Sequence, residues 1–325
     1  MTTRNKAIAA ISTTVFFWGV SFISTKIALS FFPPIFLAAL RFGLAVIFLF
    51  FISRKYAKDE KISKEDVVLL AGAGLTGVTA YFFFENHGIS LIPASEASII
   101  TAAIPILILI AERVEEGILS IRRKGSKDEG EKNRKSYLIY KIVIPGAGAL
   151  TSLTGVALVA GVSLTLTGSL KGYIFMLGAC FSWLCYCFLT RPLFKRHSRI
   201  CIVFWQSFFG FLGFLPLALF EAHGKLPVQL FQQIPPFHVW GNILFLGICC
   251  SALGYWFFAQ GLQALGAGTA SLFLNFVPVI SVLGGFFILG ERLRPLQMLG
   301  AVLVLGGVYL AMSVPNIQKH IQDRS

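Results

Sequence analysis

Charged side chains inside apolar stretches are the first candidates for chemistry in this sequence; they are Lys26, Arg41, Glu85, His87 and Glu96. A charge that faces lipid is costly, so such residues usually line a cavity or pair with one another. The guanidinium of Arg41 could hold a solute carboxylate through two hydrogen bonds, or it could pair with Glu85 or Glu96. Glu85 could carry a proton, contact a cationic solute or form a fixed salt bridge.

Structural explanations compete for two of these charged residues. Glu96 follows Ser95 at a predicted helix start, where interaction with the helix dipole is a sufficient reason for a carboxylate. His87 lies at a predicted helix end, where its ring could be a solvated cap. Glu96 stays a candidate for solute contact, and the five charges are balanced closely enough to satisfy one another.

Aromatic and amide side chains inside apolar stretches form a second group of candidates. They are Trp18, Tyr81, Phe84, Asn86, Trp183, Tyr186, Trp205, Gln206, Tyr255, Trp256, Gln260 and Asn275. Aromatic walls with a few amides suit amino acids, heterocycles and flat organic solutes. Aromatic residues also face lipid or the membrane interface, whereas a buried amide always needs a partner. The predicted solute-binding or coupling residues are therefore Trp18, Arg41, Glu85, Asn86, Glu96, Tyr255, Trp256, Gln260 and Asn275.

Two prolines occupy matched places in the chain and are hinge candidates. Pro105 and Pro278 each follow a similar apolar segment, and each removes one backbone hydrogen bond from its helix. The alternative is that both prolines only set the packing geometry of their helices.

The sequence contains no recognisable catalytic or metal-binding set. The patterns H-E-x-x-H, G-x-S-x-G and the P-loop are absent. The six cysteines lie in or beside apolar stretches without a CxxC pattern or a histidine at ligand spacing, and we interpret them as small buried hydrophobic residues. We expect no enzyme activity, no cofactor and no metal site.

The composition indicates that these candidates are held by membrane helices. Hydrophobic residues make up 56% of the chain and charged residues only 13%, and mean hydropathy is +0.76. A soluble domain carries nearer a quarter charged residues. Ten apolar stretches are about long enough to cross a bilayer, which takes ~20 residues: 8–29, 35–53, 67–87, 95–113, 138–163, 170–190, 200–220, 239–261, 267–289 and 295–314. The predicted fold is an all-α integral membrane protein with ten transmembrane helices.

The basic residues predict the orientation of these helices. The chain has 28 Lys and Arg and a net charge of +13. Most of them fall on one side if both termini are cytoplasmic, as the positive-inside rule requires of a multi-pass protein of the cell (inner, cytoplasmic) membrane. This placement explains the basic character without nucleic-acid binding. The mixed-charge insert near 114–136 is predicted to be a flexible cytoplasmic loop, and the alternative is a regulatory element.

The chain repeats itself once. FFWGVSFISTK (16–26) aligns with FSWLCYCFLTR (181–191), and residues 85–105 align with residues 258–278. We therefore divide the chain into residues 1–166, with helices one to five and the insert, and residues 167–325, with helices six to ten and a short tail. Because five is an odd number, the second half enters the membrane from the opposite side. Such an inverted repeat is typical of secondary transporters.

Several motifs resemble a known family. WGVS (18–21) with Lys26, PPIFLAALRFGLA (33–45) and LGAGTASLFLNFVPVISVLGGFFILGERL (265–293) are similar to the EamA branch of the drug/metabolite transporter superfamily. The resemblance covers nearly the whole chain. It implies ten helices in two five-helix repeats, and carrier activity toward small organic solutes.

The function that we expect is secondary active export of a small metabolite, such as an amino acid or a related compound, by alternating access. The alternative is import or exchange of an adenosyl- or nucleotide-like solute. A channel or a membrane-embedded enzyme is less favoured by the sequence than either of these functions. The expected partners are the solute, the lipid bilayer and a proton or counter-solute, because no ATP-binding segment is present in the sequence. The chain would act as a monomer or a homodimer.

Overall fold

The computed structural model describes residues 3–57, 60–104, 106–108, 111, 144–161, 169–221, 235–265, 273–274, 276–292 and 294–312. Regular structure in these ranges is entirely helical. Three features singled out by the sequence analysis, Pro105, Asn275 and the 114–136 insert, lie outside the described residues.

Twelve α-helices have defined bounds in the described part of the chain. They are α1 (Thr3–Ala28), α2 (Pro34–Tyr56), α3 (Lys64–Gly74), α4 (Tyr81–Leu91), α5 (Ala94–Thr101), α6 (Ile144–Gly161), α7 (Ser169–Thr190), α8 (Arg199–Glu221), α9 (Phe237–Leu244), α10 (Gly254–Leu265), α11 (Val277–Gly284) and α12 (Pro295–Met312). Wider π-helical turns cover Leu75–Ala80, Phe245–Leu253 and Gly285–Leu289, and a 3₁₀ turn covers Leu193–Lys195.

Six helical segments of the described chain are long and apolar enough to cross a membrane. They are Asn5–Ala28, Pro34–Tyr56, Lys64–Leu91, Leu170–Lys195, Arg199–Glu221 and Phe237–Gly261. Each falls on one of the apolar stretches predicted from the sequence. The third span begins at Lys64 because the Ser63 side chain caps it, accepting a hydrogen bond from the Asp66 amide at 3.1 Å. Val277–Leu289 and Met298–Gly307 are shorter apolar helices.

Two of these spans contain a π-helical segment, and both segments contribute to the buried centre described below. Such turns are rare and often mark functional sites. In the segment Leu75–Ala80, Gly77 lies against the ring of Tyr186, where an added Cβ would approach to 2.3 Å. The segment Phe245–Leu253 presents Ser251, which is fully buried.

Helices α1–α5 and α7–α11 belong to one compact unit, made of residues 1–101 and 166–292. Within it, α1 packs on α10, α2 on α8 and α4 on α7. Many of its outer side chains are large and apolar, and Phe51, Val68 and Phe220 are 68%, 71% and 80% exposed. Polar side chains such as Arg41, which is 2% exposed, lie inside. An apolar exterior around buried charges fits lipid as the surrounding solvent.

Residues 102–165 and 293–325 form a second unit, in which α6 and α12 pack along each other. Glycines bring the two backbones close together. A Cβ added at Gly155 would lie 2.5 Å from the carbonyl oxygen of Gly300, and one added at Gly307 would lie 2.5 Å from that of Gly148. Close approach through small residues is the usual way in which helices associate in membranes.

We expect Gly307→Ala to lower the thermal stability of the purified protein, because its methyl group would overlap the α6 backbone. Overpacking of this kind costs about 1–3 kcal/mol. The neighbouring Gly306→Ala is the matched control, since nothing lies within 4 Å of the Cβ that it would add. Thermal unfolding in detergent should show a lower midpoint for Gly307→Ala alone. Equal midpoints for the two variants would contradict the close packing of α6 and α12.

Candidate functional site

Arg41 is the centre of a buried polar site in the first unit. It lies on α2, and its Nε donates a 2.5 Å hydrogen bond to Oγ of Ser251 in the second π-helical segment. Its guanidinium carbon lies 4.2 Å from the centroid of the Phe82 ring, on which it stacks. Among the described residues, the buried Nη1 of Arg41 has no hydrogen-bond partner. A buried donor without a partner is expensive, so its place in a native structure needs an explanation.

Glu85 is the acidic group that faces this site. The side chain is 5% exposed and lies on α4, one turn after Tyr81. The Tyr81 hydroxyl donates a 2.8 Å hydrogen bond to its Oε1. Arg41 stacks on Phe82, which lies three residues before Glu85 on α4, but the described part of the chain shows no direct salt bridge between Arg41 and Glu85. The guanidinium of Arg41 and the carboxylate of Glu85 are therefore close to each other without forming an ion pair.

Five aromatic side chains from four helices form what we call the aromatic cluster: Trp18, Tyr81, Trp183, Tyr186 and Tyr255. Trp183 is its hub, with ring centroids 5.8 Å from Trp18, 5.1 Å from Tyr81, 4.9 Å from Tyr186 and 5.8 Å from Tyr255. Trp18 and Tyr255 lie 5.4 Å apart. Tyr81 belongs both to this cluster and to the polar site, so the two are continuous.

Hydrogen bonds fix the orientation of two rings in the aromatic cluster. Nε1 of Trp18 donates to the carbonyl oxygen of Cys250 at 3.1 Å, and the Tyr255 hydroxyl donates to that of Gly77 at 3.4 Å. Both acceptors belong to the π-helical segments. Backbone carbonyl groups of the two irregular segments therefore hold these two aromatic rings in place.

The remaining predicted site residues lie elsewhere. Asn86 is buried and donates through Nδ2 to the Pro34 carbonyl oxygen at 2.9 Å, which ties α4 to the start of α2. Trp256 lies beside Tyr56, with ring centroids 6.4 Å apart. Pro278 is in the first turn of α11, where a proline removes no helical hydrogen bond.

Glu96 is buried on α5 and accepts a short hydrogen bond from the hydroxyl of Tyr173. Glu96 lies in the first turn of α5, the position in which the sequence predicts its interaction with the helix dipole. A second carboxylate, that of Glu291, caps the same helix by accepting from the Ala94 and Ser95 amides at 2.8 and 3.0 Å. The cap by Glu291 was not predicted, because an acidic residue so distant in sequence gives no local capping signal.

Two more charged residues bind helix ends in the same region of the unit. Nζ of Lys26 donates to the carbonyl oxygens of Ile89 and Ile92, at 2.6 and 2.9 Å, where α4 ends. Glu221 accepts from the Phe36 amide at 3.0 Å, at the start of α2. Cations at helix C-termini and anions at N-termini are stabilising. These contacts give Lys26 a structural role.

Gln260 lines a separate cavity of about 300 Å³ with Lys6, Ala7, Arg199, Gln263 and Ala264. Two of these six residues are basic and two are amides. A cavity with this lining attracts anionic groups. It lies among the ends of α1, α8 and α10, apart from the aromatic cluster.

Comparison with known proteins shows relatives over almost the full length. An uncharacterized transporter, YyaM, of Bacillus subtilis (strain 168) is 29% identical over 308 residues, which cover 94% of this chain and 92% of the relative. A protein of Salmonella typhimurium (strain LT2) named "Probable amino-acid metabolite efflux pump" is 26% identical, with 90% of each chain covered. A "Probable terminal-alkyne amino-acid exporter" of Streptantibioticus cattleyicolor is 24% identical, covering 94% and 93%.

A solved crystal structure shares the fold of this chain, and a family model matches its sequence. The solved protein aligns with a TM-score of 0.59 over 95% of this chain and 97% of its own length, and at 18% identity it shows the fold alone. The model of the EamA-like transporter family matches residues 5–114 and again residues 170–313. These two matches cover most of the sequence. The chain is a multi-pass membrane protein, and it belongs to the EamA-like transporter family.

Proposed function

We propose that this chain is a secondary active carrier that exports an amino acid or a related small metabolite by alternating access. It would lie in the cell (cytoplasmic) membrane with both termini inside, as ten transmembrane helices arranged in two inverted repeats, 1–166 and 167–325. The observation that carries the proposal is the buried Nη1 of Arg41, which has no hydrogen-bond partner among the described residues and lies beside the aromatic cluster. A solute carboxylate would accept from it and remove the cost of the unsatisfied donor.

The same site has groups that suit the other end of an amino acid. An ammonium group is attracted to aromatic faces and to a carboxylate, and the aromatic cluster and Glu85 offer both next to Arg41. The solute's carboxylate would then bind Arg41, and its ammonium group would face Glu85. Its side chain would pack on the aromatic rings. The names of the relatives from Salmonella and Streptantibioticus support an amino-acid-like solute and the outward direction.

Glu85 is the coupling group in this proposal. Its carboxylate is buried, and the Tyr81 hydroxyl already donates one hydrogen bond to it. A proton and a solute ammonium group would compete for the same oxygens. Binding one would release the other, which couples solute movement to a proton gradient.

A second candidate function, import or exchange of an adenosyl-like solute, is favoured by one observation. The aromatic cluster contains two indole rings, Trp18 and Trp183, with centroids 5.8 Å apart, and nucleobases stack on the faces of such rings. An adenosyl compound that also carries an amino-acid group would use Arg41 and Glu85 in the same way.

Tryptophan fluorescence of the purified protein tests the substrate class. We expect saturable quenching by an apolar amino acid and none by its amine analogue, which lacks the carboxylate for Arg41. Trp183→Phe should remove most of the change, whereas Trp240→Phe, at an exposed position outside the cluster, should keep it. Saturation by adenosyl compounds alone would favour the second candidate. Equal responses to the amino acid and its amine would contradict carboxylate recognition.

A further inference from the structure

A group of metal-binding side chains lies at the ends of the helices, away from the Arg41 site. Glu60 precedes α3, His197 precedes α8, and Cys201 lies in the first turn of α8. One ligand atom from each of the three residues lies within 4.8 Å of the other two. Nδ1 of His197 is 3.7 Å from Oε2 of Glu60.

The distance between the imidazole and the carboxylate fits coordination of one ion. Tetrahedral zinc with bonds of about 2.0–2.3 Å to nitrogen, oxygen and sulfur places its ligand atoms roughly 3.3–3.8 Å apart. The 3.7 Å between His197 and Glu60 lies in this range. Cys201 follows His197 by four residues, which brings its sulfur to the same side of the helix start. A small side-chain adjustment would complete three protein ligands and leave the fourth position open.

A neighbouring carboxylate orients the imidazole for this role. The other ring nitrogen of His197, Nε2, lies 2.9 Å from Oδ2 of Asp66, to which it donates when protonated. Asp66 is in turn held by Arg196, whose Nη1 lies 2.8 Å from Oδ1. A carboxylate that accepts from Nε2 leaves the lone pair on Nδ1, facing Glu60. Metal-binding histidines almost always have such a second partner.

We propose that Glu60, His197 and Cys201 bind a divalent transition-metal ion of the zinc class. Thiolate, imidazole and carboxylate together select zinc and its chemical neighbours over magnesium or calcium, which prefer oxygen ligands alone. Cys201 loses its thiol proton to solvent as the ion binds. The Ser198 amide, which donates to Oε2 of Glu60 at 3.1 Å, can remain bound, because a carboxylate has several acceptor sites.

Binding at this site would strengthen the link between two parts of the chain that are distant in sequence and that the contacts of Ser198 with Glu60 and of Arg196 with Asp66 already join. Glu60 belongs to the connection between α2 and α3, whereas His197 and Cys201 belong to the connection and helix that follow α7. This consequence, though not the binding itself, rests on the proposed function. A carrier that alternates by moving its two halves would be held in one state, so transport would slow while the ion is bound.

Cobalt substitution in the purified full-length protein tests the site directly, because thiolate ligation gives Co²⁺ an intense near-ultraviolet charge-transfer band. We expect this band at one equivalent of Co²⁺, and its loss when Zn²⁺ is added. Cys201→Ser and His197→Gln should abolish it, and Asp66→Asn should weaken affinity by about 10–100-fold. Cys185→Ser, a partly buried cysteine on α7, is the matched control and should leave the band unchanged.

The wild-type spectrum decides the question even if a variant fails to fold. Absence of a thiolate band with Co²⁺, or a band that persists in Cys201→Ser, would overturn the proposal. The spectrum needs no transported solute, so a failure of the carrier function leaves this test intact. In a working transport assay, Zn²⁺ should slow the wild-type protein and have no such effect on Cys201→Ser.

Discussion

Arg41→Ala is expected to abolish transport of a carboxylate solute. Arg41 supplies the buried Nη1 that has no partner among the described residues. Removing one member of a buried charge pair costs about 2–5 kcal/mol, which corresponds to roughly 30-fold or more in affinity. Equilibrium binding, followed by tryptophan fluorescence of the purified variant, measures this loss separately from the transport rate.

A structural role for Arg41 makes a different prediction, and a double variant separates the two. Arg41→Ala alone leaves Glu85 without its opposite charge, which could unfold the protein and mask any binding defect. Arg41→Met combined with Glu85→Gln removes both charges, so that neither residue leaves an uncompensated buried charge at the site. If Arg41 contacts the solute, this double variant folds but does not bind it. Recovery of solute binding in the double variant would show that Arg41 only pairs with Glu85.

Glu85→Gln is expected to uncouple transport from the proton gradient while sparing exchange of solute for solute. The amide oxygen of glutamine can still accept from Tyr81, so the local packing is kept. The side chain can no longer gain or lose a proton. Accumulation driven by a pH gradient in vesicles should therefore fall to passive equilibration. Exchange in the absence of a gradient should keep most of its rate at saturating solute, with a weaker affinity because the solute's ammonium group then faces a neutral amide.

Glu96→Gln is the matched control for the coupling role. Glu96 is also buried and also accepts from a tyrosine, Tyr173, but it lies on α5. We expect this variant to remain coupled. Loss of coupling in Glu96→Gln with normal coupling in Glu85→Gln would assign the proton to the other carboxylate.

The helices were largely predictable from the sequence because lipid imposes a simple rule on each segment. A transmembrane helix can be predicted from a single run of about 20 apolar residues, without information on the helices that pack against it. The stretches 35–53 and 200–220 therefore fall within the helices Pro34–Tyr56 and Arg199–Glu221. The π-helical turns were not predicted, because an extra residue in a turn leaves no periodic signal in a uniformly apolar helix.

The contacts of the site depend on tertiary structure and were predicted less completely. Arg41 and Glu85 stood out because charges are rare in apolar stretches. Ser251 did not stand out, because serine is common in membrane helices, and its bond to Arg41 joins residues far apart in sequence. The spacing of four between His197 and Cys201 is a local signal that the sequence analysis overlooked. The approach of Glu60 to this pair has no local signal.

Counterflow in reconstituted vesicles tests the carrier mechanism most directly. Vesicles are loaded with an excess of unlabelled amino acid and diluted into a trace of the labelled compound, with no ion gradient. A carrier whose single site alternates between the two sides will accumulate label transiently above its equilibrium level, and we expect this overshoot with the wild-type protein and none with Arg41→Ala. A solute that equilibrates quickly without any overshoot would contradict alternating access and indicate a channel.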